Sequence, residues 1–492
     1  MSSKELKVYH SQWGIYERDF WVDDIPDYLG VIYSFWDITS DKLSRHPLVP
    51  DDVIIGKNKV VTRDMWGDQE APKGKIWGGT NQFQMMKTKT GKGIATELSQ
   101  GGWSFSRYFS DACLTESSRN VFVGSIIDTF KKHPGVFSGV SLDWEYPSDK
   151  GESIGYGDNI TRVGDGDRFI LTCKLLREQL NANGFSNFPI SGFLSADPNK
   201  LEGHLKVGEL SKYMDELHVQ GYDFADGNWG ETKSSHQCNL YPKPGVTKFS
   251  CHETIQYYLS KGVPSKQIHI GVAAYSRGHG NTGGFGQPSS GGANKNWSWE
   301  EGILDYRHII NGGTGIGNRV VTKSPVEPTW DEDMQAHYWY DPASRELISC
   351  DTPRSVEAKA KYAFDNKLGG MFIWESSGDV RDHTSKDSLM KAVKDSWKTP
   401  GDDPIEEEPP KEDPIQEEPP KEDPIQEEPP KEDPIQEEPP KEEPVDDDPP
   451  YEEPPYEDPP YEEPVDESTP FWKFLLLGLV VGVGVAKLLE KD

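Results

Sequence analysis

Two carboxylates stand two residues apart at the end of a short apolar run: Asp143 and Glu145, in the segment SGVSLDWEYP. If this segment is a β-strand, residues two apart point to the same face. Like-charge repulsion and desolvation among aromatic neighbours raise carboxyl pKa values, as a general acid requires near neutral pH. The pair therefore predicts acid catalysis. The alternative is a pair of strand-end carboxylates that face water, and the spacing alone leaves both interpretations open.

The elements that must position this pair follow from the pattern of apolar runs. Segments with helical periodicity, such as residues 118–133 and 167–184, alternate with β-rich runs. The β-rich runs lie at about residues 7–14, 28–38, 93–103, 137–147, 188–196, 216–224, 267–278 and 369–375. This alternation predicts an α/β fold with a parallel sheet, and eight strands favour a (β/α)8 TIM barrel. Asp143 and Glu145 then lie at the C-terminal end of the fourth strand, where active sites form.

One connection of the predicted barrel is too long for a single loop and helix. Residues 279 to about 345, which follow the seventh strand, are rich in Gly, Ser and Trp. We expect an inserted subdomain at the upper face of the barrel. The catalytic domain is therefore predicted to occupy residues 1–398.

The net charge of −31 is concentrated in one segment. Residues 401–470 hold 30 acidic residues against 4 lysines, together with 21 prolines, and repeat the unit QEEPPKEDPI. So little apolar surface cannot build a core, and proline favours extended polyproline II. We expect residues 399–470 to form a disordered stalk; a solvated acidic tail without mechanical purpose is the alternative. The acidity excludes nucleic acid as a partner, because a polyanion would be repelled.

The stalk is followed by an apolar segment, residues 471–489, in which only Lys473 and Lys487 are charged. As a helix it would span roughly 28 Å, close to the thickness of a bilayer's hydrocarbon core. We expect a single transmembrane anchor in a lipid bilayer, with Gly478-x-x-x-Gly482 permitting weak self-association. A packed or interfacial helix is the alternative. The first residues lack the apolar run of a signal peptide. We therefore expect a single-pass membrane protein with a C-terminal anchor, on a host membrane or a viral envelope.

The five cysteines point to no metal or redox chemistry. No C-x-x-C pair occurs, so neither a metal nor another cofactor is expected. Cys238 and Cys251 could close one surface loop in an oxidising compartment. An odd number of cysteines leaves at least one thiol free.

Five segments, in order along residues 5–398, resemble glycoside hydrolase family 18 chitinases. Residues 138–147 are similar to that family's D-G-x-D-x-D-W-E-Y/F-P signature, and the other four segments match motifs on later or earlier barrel strands. These are SQGGW (99–103), Tyr222-Asp223, GVAAYSRG (271–278) and GGMFIWE (369–375). The run from about 267 to 397 is most similar to the bacterial and insect-virus chitinase A type. That type carries an α+β insertion between the seventh strand and its helix.

The resemblance implies an endo-acting enzyme that cleaves β-1,4 bonds of chitin or chito-oligosaccharides with retention of configuration. In the implied mechanism Glu145 is the acid, and the substrate's own acetamido oxygen is the nucleophile. Asp143 holds the acetamido N–H, and Tyr222 donates to the acetamido oxygen. The residues implied to bind substrate are Trp103, Tyr146, Gln220, Asp223, Tyr275, Arg277 and Trp374. Three other tryptophans are expected to pack in the core or at the barrel rim: Trp13, Trp21 and Trp397.

The sequence departs from the family signature at three positions. Ser138 and Ser141 stand where the signature has aspartates, and Gln220 stands where a methionine precedes the tyrosine motif. Ser141 can hydrogen-bond Asp143 but cannot carry a negative charge. We therefore expect Asp143 to have a lower pKa than in the full signature, and activity to be reduced or shifted in pH. Two other functions stay open: a non-hydrolytic chitin-binding protein of the same fold, and an adhesin or envelope protein.

Overall fold

Residues 5–40, 56–75 and 79–397 are described by the computed structural model. Eight of their strands are parallel and each is hydrogen-bonded to two of the others. In chain order they are Leu6–Ser11, Gly30–Ile38, Thr96–Gly101, Gly139–Asp143, Ile190–Leu194, Glu216–Val219, Ile268–Ala273 and Gly370–Trp374.

Pairing between the first strand and the last closes this sheet into a barrel. Val8 lies opposite Val31 of the second strand and opposite Ile373 of the eighth. The predicted (β/α)8 barrel is therefore confirmed. Its strands carry polar as well as apolar side chains, because residues that point inward form the layers of the barrel interior.

Helices surround the barrel. Those of the described residues are Met65–Gln69, Gln82–Gly91, Phe109–Cys113, Glu116–Lys132, Asp165–Ala182, Val207–Leu210, Cys251–Ser260, Tyr306–Asn311, Pro353–Asp365 and Leu389–Ser396. Short 3-10 turns lie at Gln12–Ile15, Val22–Asp24, Lys73–Lys75, Pro198–Lys200, Gly227–Trp229, Ser265–Gln267, Ile316–Asn318 and Ser376–Gly378.

Local sequence sets the ends of the two long helices. Glu116–Lys132 begins after Thr115, whose hydroxyl accepts the backbone N–H of Ser118 in a capping box. Asp165–Ala182 is followed by Gly184 at φ +85°, the left-handed conformation that terminates helices at little cost for glycine. Both helices lie within two residues of their predicted bounds.

Two apolar clusters divide the interior. The larger one fills the space between the barrel and its helices, and it buries Trp21 and Trp397 as predicted. The smaller one lies inside the barrel and contains mostly aromatic residues contributed by different strands and their ends: Tyr9, Ile32, Phe35, Tyr146, Phe193, Tyr222, Cys238, Ala273, Tyr275 and Phe372. Trp13 is partly buried and packs against this second cluster, which agrees with its predicted packing role at the core or the barrel rim.

The long connection after the seventh barrel strand folds into a sheet of its own. Four antiparallel strands lie in the order Thr329–Asp331, Ala336–Asp341, Glu346–Cys350 and Arg277–His279. With the helix Tyr306–Asn311, this sheet forms the α+β insertion between the seventh strand and the helix Pro353–Asp365. Further short strands are Val60–Val61, which pairs with the second barrel strand, and the pair Gly313–Thr314 and Val320–Val321.

The disulfide that Cys238 and Cys251 could form is not present in the structure. All five are free and buried, so Cys238 and Cys251 neither pair nor lie in a surface loop. Burial raises the pKa of the Cys251 thiol to about 11, which keeps it protonated and inert. The predicted stalk and the predicted anchor, residues 399–470 and 471–489, lie outside the described residues. Within the described part of the chain, no helix is both long and apolar enough to cross a bilayer.

Candidate active site

The backbone holds Asp143 and Glu145 at the carboxyl end of the fourth barrel strand. The backbone N–H of Gly102 donates to the Asp143 carbonyl at 2.8 Å, and a side chain at Gly101 would meet that carbonyl at 2.1 Å. The Ser106 hydroxyl accepts the backbone N–H of Glu145 at 2.9 Å. Glycines at the end of the third strand thus let the two strand ends approach closely, and this fixes the start of the catalytic loop.

Both candidate carboxyl groups have raised pKa values. Burial raises the pKa of Glu145 to about 7, while Tyr146, Asp143 and Lys200 act in the opposite direction. Burial, and then the charge of Glu145, raise the pKa of Asp143 well above its usual range. Asp143 is 2% exposed. The two pKa values shift in the predicted direction, and a carboxyl that titrates near 7 suits a general acid at neutral pH.

The polar surroundings of Asp143 are incomplete. Its Oδ1 atom and the Ser141 hydroxyl are both buried, and neither has a hydrogen-bond partner among the described residues. The hydrogen bond that Ser141 was expected to make with Asp143 is therefore not formed. One oxygen of Asp143 is left for another donor.

Tyr222 lies in the smaller apolar cluster inside the barrel, together with Tyr146. It follows the sixth strand and is 3% exposed, with its ring stacked on Phe193 at 6.4 Å between centroids. Burial, and then Tyr275, raise the pKa of the phenol, so its hydroxyl keeps its hydrogen. The charge of Asp143 also acts on this phenol.

Asp223 organises a polar group beside Tyr222. Its Oδ1 atom accepts hydrogen bonds from the Tyr275 hydroxyl at 2.6 Å and from the Arg277 Nε atom at 2.8 Å. Burial alone would lower the pKa of Arg277, but the Asp223 carboxylate raises it. Gln220 donates to Asp223 only weakly, at 3.4 Å. Asp223 thus fixes Tyr275 and Arg277 in place.

The remaining predicted residues are aromatic and fall into two places. Trp374 ends the eighth strand and stacks on Phe35 at 5.5 Å, inside the barrel mouth. Trp103 is 47% exposed, and its ring meets that of Tyr156 at 6.0 Å. Tyr146 is buried below Lys200, whose ammonium lies 4.5 Å from the Tyr146 centroid and 5.9 Å from that of Trp103. A sugar ring stacks well on faces of this kind.

Sequence reasoning missed several residues that face this cavity. Tyr9 packs edge-on against Trp374 at 5.7 Å, and the positive charge of Lys200 lowers the pKa of Glu145. Phe35 and Trp13 stack obliquely at 6.5 Å. Tyr9 and Phe35 lie within the first and second strands and not at their ends, so a search of the strand ends for motifs would not have found them. Lys200 follows the fifth strand, in a turn without any motif.

Three peptide bonds of the described chain that do not precede proline are cis. They join Ser34 to Phe35, Glu145 to Tyr146 and Trp374 to Glu375.

One group of described side chains could in principle hold a metal ion. Donor atoms of Glu216, His218 and His269 lie within 4.8 Å of one another, deep in the barrel. The Lys7 ammonium contacts the Glu216 carboxylate and also pairs with Glu97. Because the Lys7 ammonium already pairs with these carboxylates, we assign the group to an internal ion-pair cluster.

Comparison with known proteins agrees with this geometry. Residues 5–379 match the model of glycosyl hydrolases family 18. Endochitinase 1 of Metarhizium robertsii is 30% identical over 383 residues, which cover 76% of this chain and 81% of the relative. The chitinase of Autographa californica nuclear polyhedrosis virus is 29% identical over 422 residues, covering 80% and 72% respectively.

A solved structure is similar as well. The catalytic domain of a psychrophilic chitinase B from Arthrobacter TAD20 has a TM-score of 0.66 at 26% identity, covering 80% of this chain and 96% of that one. The fold and the site together define a glycoside hydrolase of the barrel type. The chain belongs to glycosyl hydrolases family 18.

Proposed function

We propose that the protein is a chitinase that hydrolyses β-1,4 bonds between N-acetylglucosamine units and retains the anomeric configuration. The observation that carries the proposal is the pair Asp143 and Glu145. The pair lies at the carboxyl end of the fourth strand of a family 18 barrel. Burial raises the pKa of Glu145 to about 7. The relatives' names, endochitinase and chitinase, support chitin as the substrate and endo-action as the mode of cleavage.

Protonation of the leaving group falls to Glu145. Its raised pKa leaves the carboxyl partly protonated at neutral pH, so it can donate to the glycosidic oxygen. The acetamido oxygen of the same sugar attacks the anomeric carbon, and an oxazolinium ion forms as the glycosidic bond breaks. The Glu145 carboxylate then takes a proton from a water molecule. The water oxygen attacks the anomeric carbon from the face that the leaving group occupied, which opens the oxazolinium ring and retains the configuration.

Asp143 and Tyr222 orient the internal nucleophile. Asp143 accepts the acetamido N–H in its ionised form, which its raised pKa disfavours until the positive charge of the oxazolinium ion develops beside it and is stabilised by the carboxylate. The Tyr222 hydroxyl, which its raised pKa keeps protonated, donates to the acetamido oxygen. Holding the nucleophile against the anomeric carbon supplies much of the rate acceleration.

Aromatic residues supply the sugar-binding faces. Trp374 and Phe35 at the barrel mouth form the floor for the reacting sugar, and Trp103 and Tyr146 line the path of the neighbouring sugars. Gln220, Asp223, Tyr275 and Arg277 offer hydrogen bonds to their hydroxyl and acetamido groups.

A non-hydrolytic chitin-binding role is the second candidate. Ser141 favours it, because the carboxylate that the family signature places behind Asp143 is missing. An adhesin or envelope protein would likewise need binding without turnover. For each of these roles, we also propose that residues 471–489 display the protein on a host membrane or a viral envelope.

The substitution Glu145→Gln tests the proposal. An amide keeps the shape of the side chain but cannot donate a proton to the leaving group, so hydrolysis of chito-oligosaccharides should fall at least about a hundredfold. Binding to chitin beads should stay within about twofold of the parent protein. Product release is measured by chromatography and binding by pull-down.

Glu178→Gln is the matched control, because Glu178 is exposed on the helix Asp165–Ala182 outside the cavity. It should hydrolyse and bind like the parent. A parent protein that binds chitin without cleaving it would favour the chitin-binding role. Cleavage that survives in Glu145→Gln would place the acid elsewhere.

A further inference from the structure

Lys200 presents an ammonium group to the path that we assign to the sugars. Its Nζ atom lies 4.5 Å from the ring centroid of Tyr146 and 5.9 Å from that of Trp103. Within the described part of the chain, this ammonium donates to no hydrogen-bond acceptor and pairs with no carboxylate. Three donor hydrogens and a positive charge are therefore free for a sugar that contacts these two rings.

Local contacts fix the point from which this side chain leaves the backbone. A proline begins the 3-10 turn Pro198–Lys200, and the Asp197 carboxylate accepts the backbone N–H of Asn199 at 2.8 Å. The backbone N–H of Lys200 donates to the Asp197 carbonyl at 3.0 Å, and the next residue, Leu201, is buried. Because the chain is bonded before Lys200 and packed after it, only the side-chain rotamers of Lys200 can move the ammonium.

Nearby carboxyl groups favour the charged form of Lys200 without cancelling its charge. Burial lowers the pKa of Lys200, whereas three carboxyls raise it: Glu145, Asp197 and Asp223. Asp223 is already paired with Arg277 at 2.8 Å. Glu145 must be protonated, and hence neutral, when it acts as the general acid. A sugar that enters beside Lys200 therefore meets a positive charge.

An ammonium distinguishes the two sugars of a partly deacetylated chitin. N-acetylglucosamine carries a neutral amide, whose carbonyl oxygen accepts a hydrogen bond from an ammonium. Glucosamine carries an amine, which in weak acid is protonated and offers only donors and a like charge. Two like charges repel more strongly in a partly buried cleft than in water. The same side chain therefore attracts the first sugar and rejects the second.

We propose that Lys200 is a specificity-determining residue, which donates to the acetamido carbonyl of the sugar on Tyr146 and Trp103 and excludes glucosamine from that position. This inference rests on the proposed function for its substrate. The internal nucleophile already demands an acetamido group on the reacting sugar. Lys200 adds the same demand at a sugar that flanks it, so each cut needs two acetylated sugars in a row.

The composition of the products tests this demand. Full-length protein digests partly acetylated chitosan in weak acid, and mass spectrometry reads the sugars at the new chain ends. In the parent, glucosamine should be depleted at least about tenfold at one of the two sugars that flank the reacting one. Lys200→Met should bring that position to within about twofold of the substrate's own composition, and Lys200→Arg, which keeps the charge, should match the parent.

The product ratio is independent of the overall rate, so a change in the pKa of Glu145 does not affect it. Lys174→Met is the matched control, because Lys174 is exposed on the helix Asp165–Ala182, and it should give the parent's composition. The acidic residues 401–470 attract cationic chains equally in every variant. Undepleted glucosamine at both flanking sugars of the parent, or a depletion that survives in Lys200→Met, overturns the proposal.

A binding measurement needs no hydrolysis. In the Glu145→Gln background, calorimetry compares a fully acetylated chito-oligosaccharide with a partly deacetylated one of equal length. Adding Lys200→Met should improve the relative affinity for the deacetylated oligomer at least about fivefold. An unchanged ratio overturns the proposal even if the enzyme is active. A ratio that depends on Lys200 in a protein that does not cleave chitin would refute the proposed hydrolysis and leave the sugar selection standing.

Discussion

Glu145 connects the activity to pH through one carboxyl group. A general acid must be protonated, and burial raises the pKa of Glu145 to about 7. Because its pKa is raised, the Glu145 carboxyl stays protonated up to a pH of about 7. Hydrolysis is therefore expected below that pH and lost as the pH rises above it. We expect kcat/KM for a soluble chito-oligosaccharide to fall about tenfold per pH unit above that value. A rate that is flat from pH 7 to 9 would exclude Glu145 as the acid.

Lys200 gives a second prediction about the same group. Its ammonium lowers the pKa of Glu145, so Lys200→Met should move the alkaline limb of the pH–rate profile upward. Lys174→Met, on an exposed position of the helix Asp165–Ala182, is the matched control and should leave the limb in place. A limb that moves downward or stays fixed in Lys200→Met would contradict this electrostatic account.

Individual residues could be predicted from the sequence where the reactive residue types and the spacing between them fall within one short segment. Asp143 ends the fourth strand and Glu145 lies two residues beyond it, so their spacing in the sequence already predicts that both lie at the carboxyl end of that strand. The contact of Tyr9 with His218 depends on which strands face each other inside a closed barrel, and no spacing in the sequence records that. Ser141 shows the same limit, since the sequence allows its hydroxyl to bond Asp143 but the structure records no hydrogen bond between them.

The helix Pro353–Asp365 supports the site from outside the barrel. Lys359, fully buried on this helix, donates to the carbonyls of Gly221 and Gly271 at 3.0 and 3.1 Å and pairs with Asp351 at 2.7 Å. Gly221 precedes Tyr222, and a side chain there would meet the Gly271 carbonyl at 2.2 Å. The ammonium thus holds the ends of the sixth and seventh strands together.

Removal of this ammonium should destabilise the protein strongly. Lys359→Met leaves Asp351 as a buried, unpaired carboxylate, and we expect the free energy of unfolding to fall by about 3–5 kcal/mol. Denaturant titration measures the change. Lys361→Met, at an exposed position of the same helix, should leave the midpoint unchanged. The double variant Asp351→Asn and Lys359→Met should recover part of the loss; a loss of less than about 1 kcal/mol in the single variant would refute the role.

Elements were predictable where apolar periodicity is strong. All eight barrel strands coincide with the apolar runs, because buried parallel strands need nearly continuous apolar sequence. The strands of the insertion were not assigned individually, because Ala336–Asp341 and its neighbours are short and only partly buried. There the pairing partners across the sheet, and not the local sequence, decide the strand bounds.

At the scale of the whole molecule, the expected anchor leads to a fractionation experiment. Residues 471–489 are apolar enough to enter a bilayer, and residues 401–470 are too acidic and proline-rich to hold them in a core. We expect the full chain to stay in the pellet after carbonate extraction of expressing cells. A chain ending at residue 470 should be released, and one ending at residue 400 should be released equally.

Recovery of the full chain in the supernatant would assign residues 471–489 to a packed or interfacial helix instead. Both truncated chains should retain hydrolysis of soluble oligomers, because the barrel and its insertion lie within residues 5–397. Loss of activity in the shorter chain alone would mean that the acidic segment contributes to the site.

Barrel closure also dictates when the protein becomes competent during synthesis. Leu6 pairs with Met371, so the first strand gains its second neighbour only after nearly the whole barrel has left the ribosome. At about 5–20 residues per second, the intervening chain takes roughly 20–70 s to make. Until then Lys7 and Tyr9 lie on an open sheet edge. Nascent chains that end before the eighth strand are therefore expected to be inactive, even when the other seven strands have formed. Their open sheet edge must be shielded from pairing with other chains until the eighth strand is made.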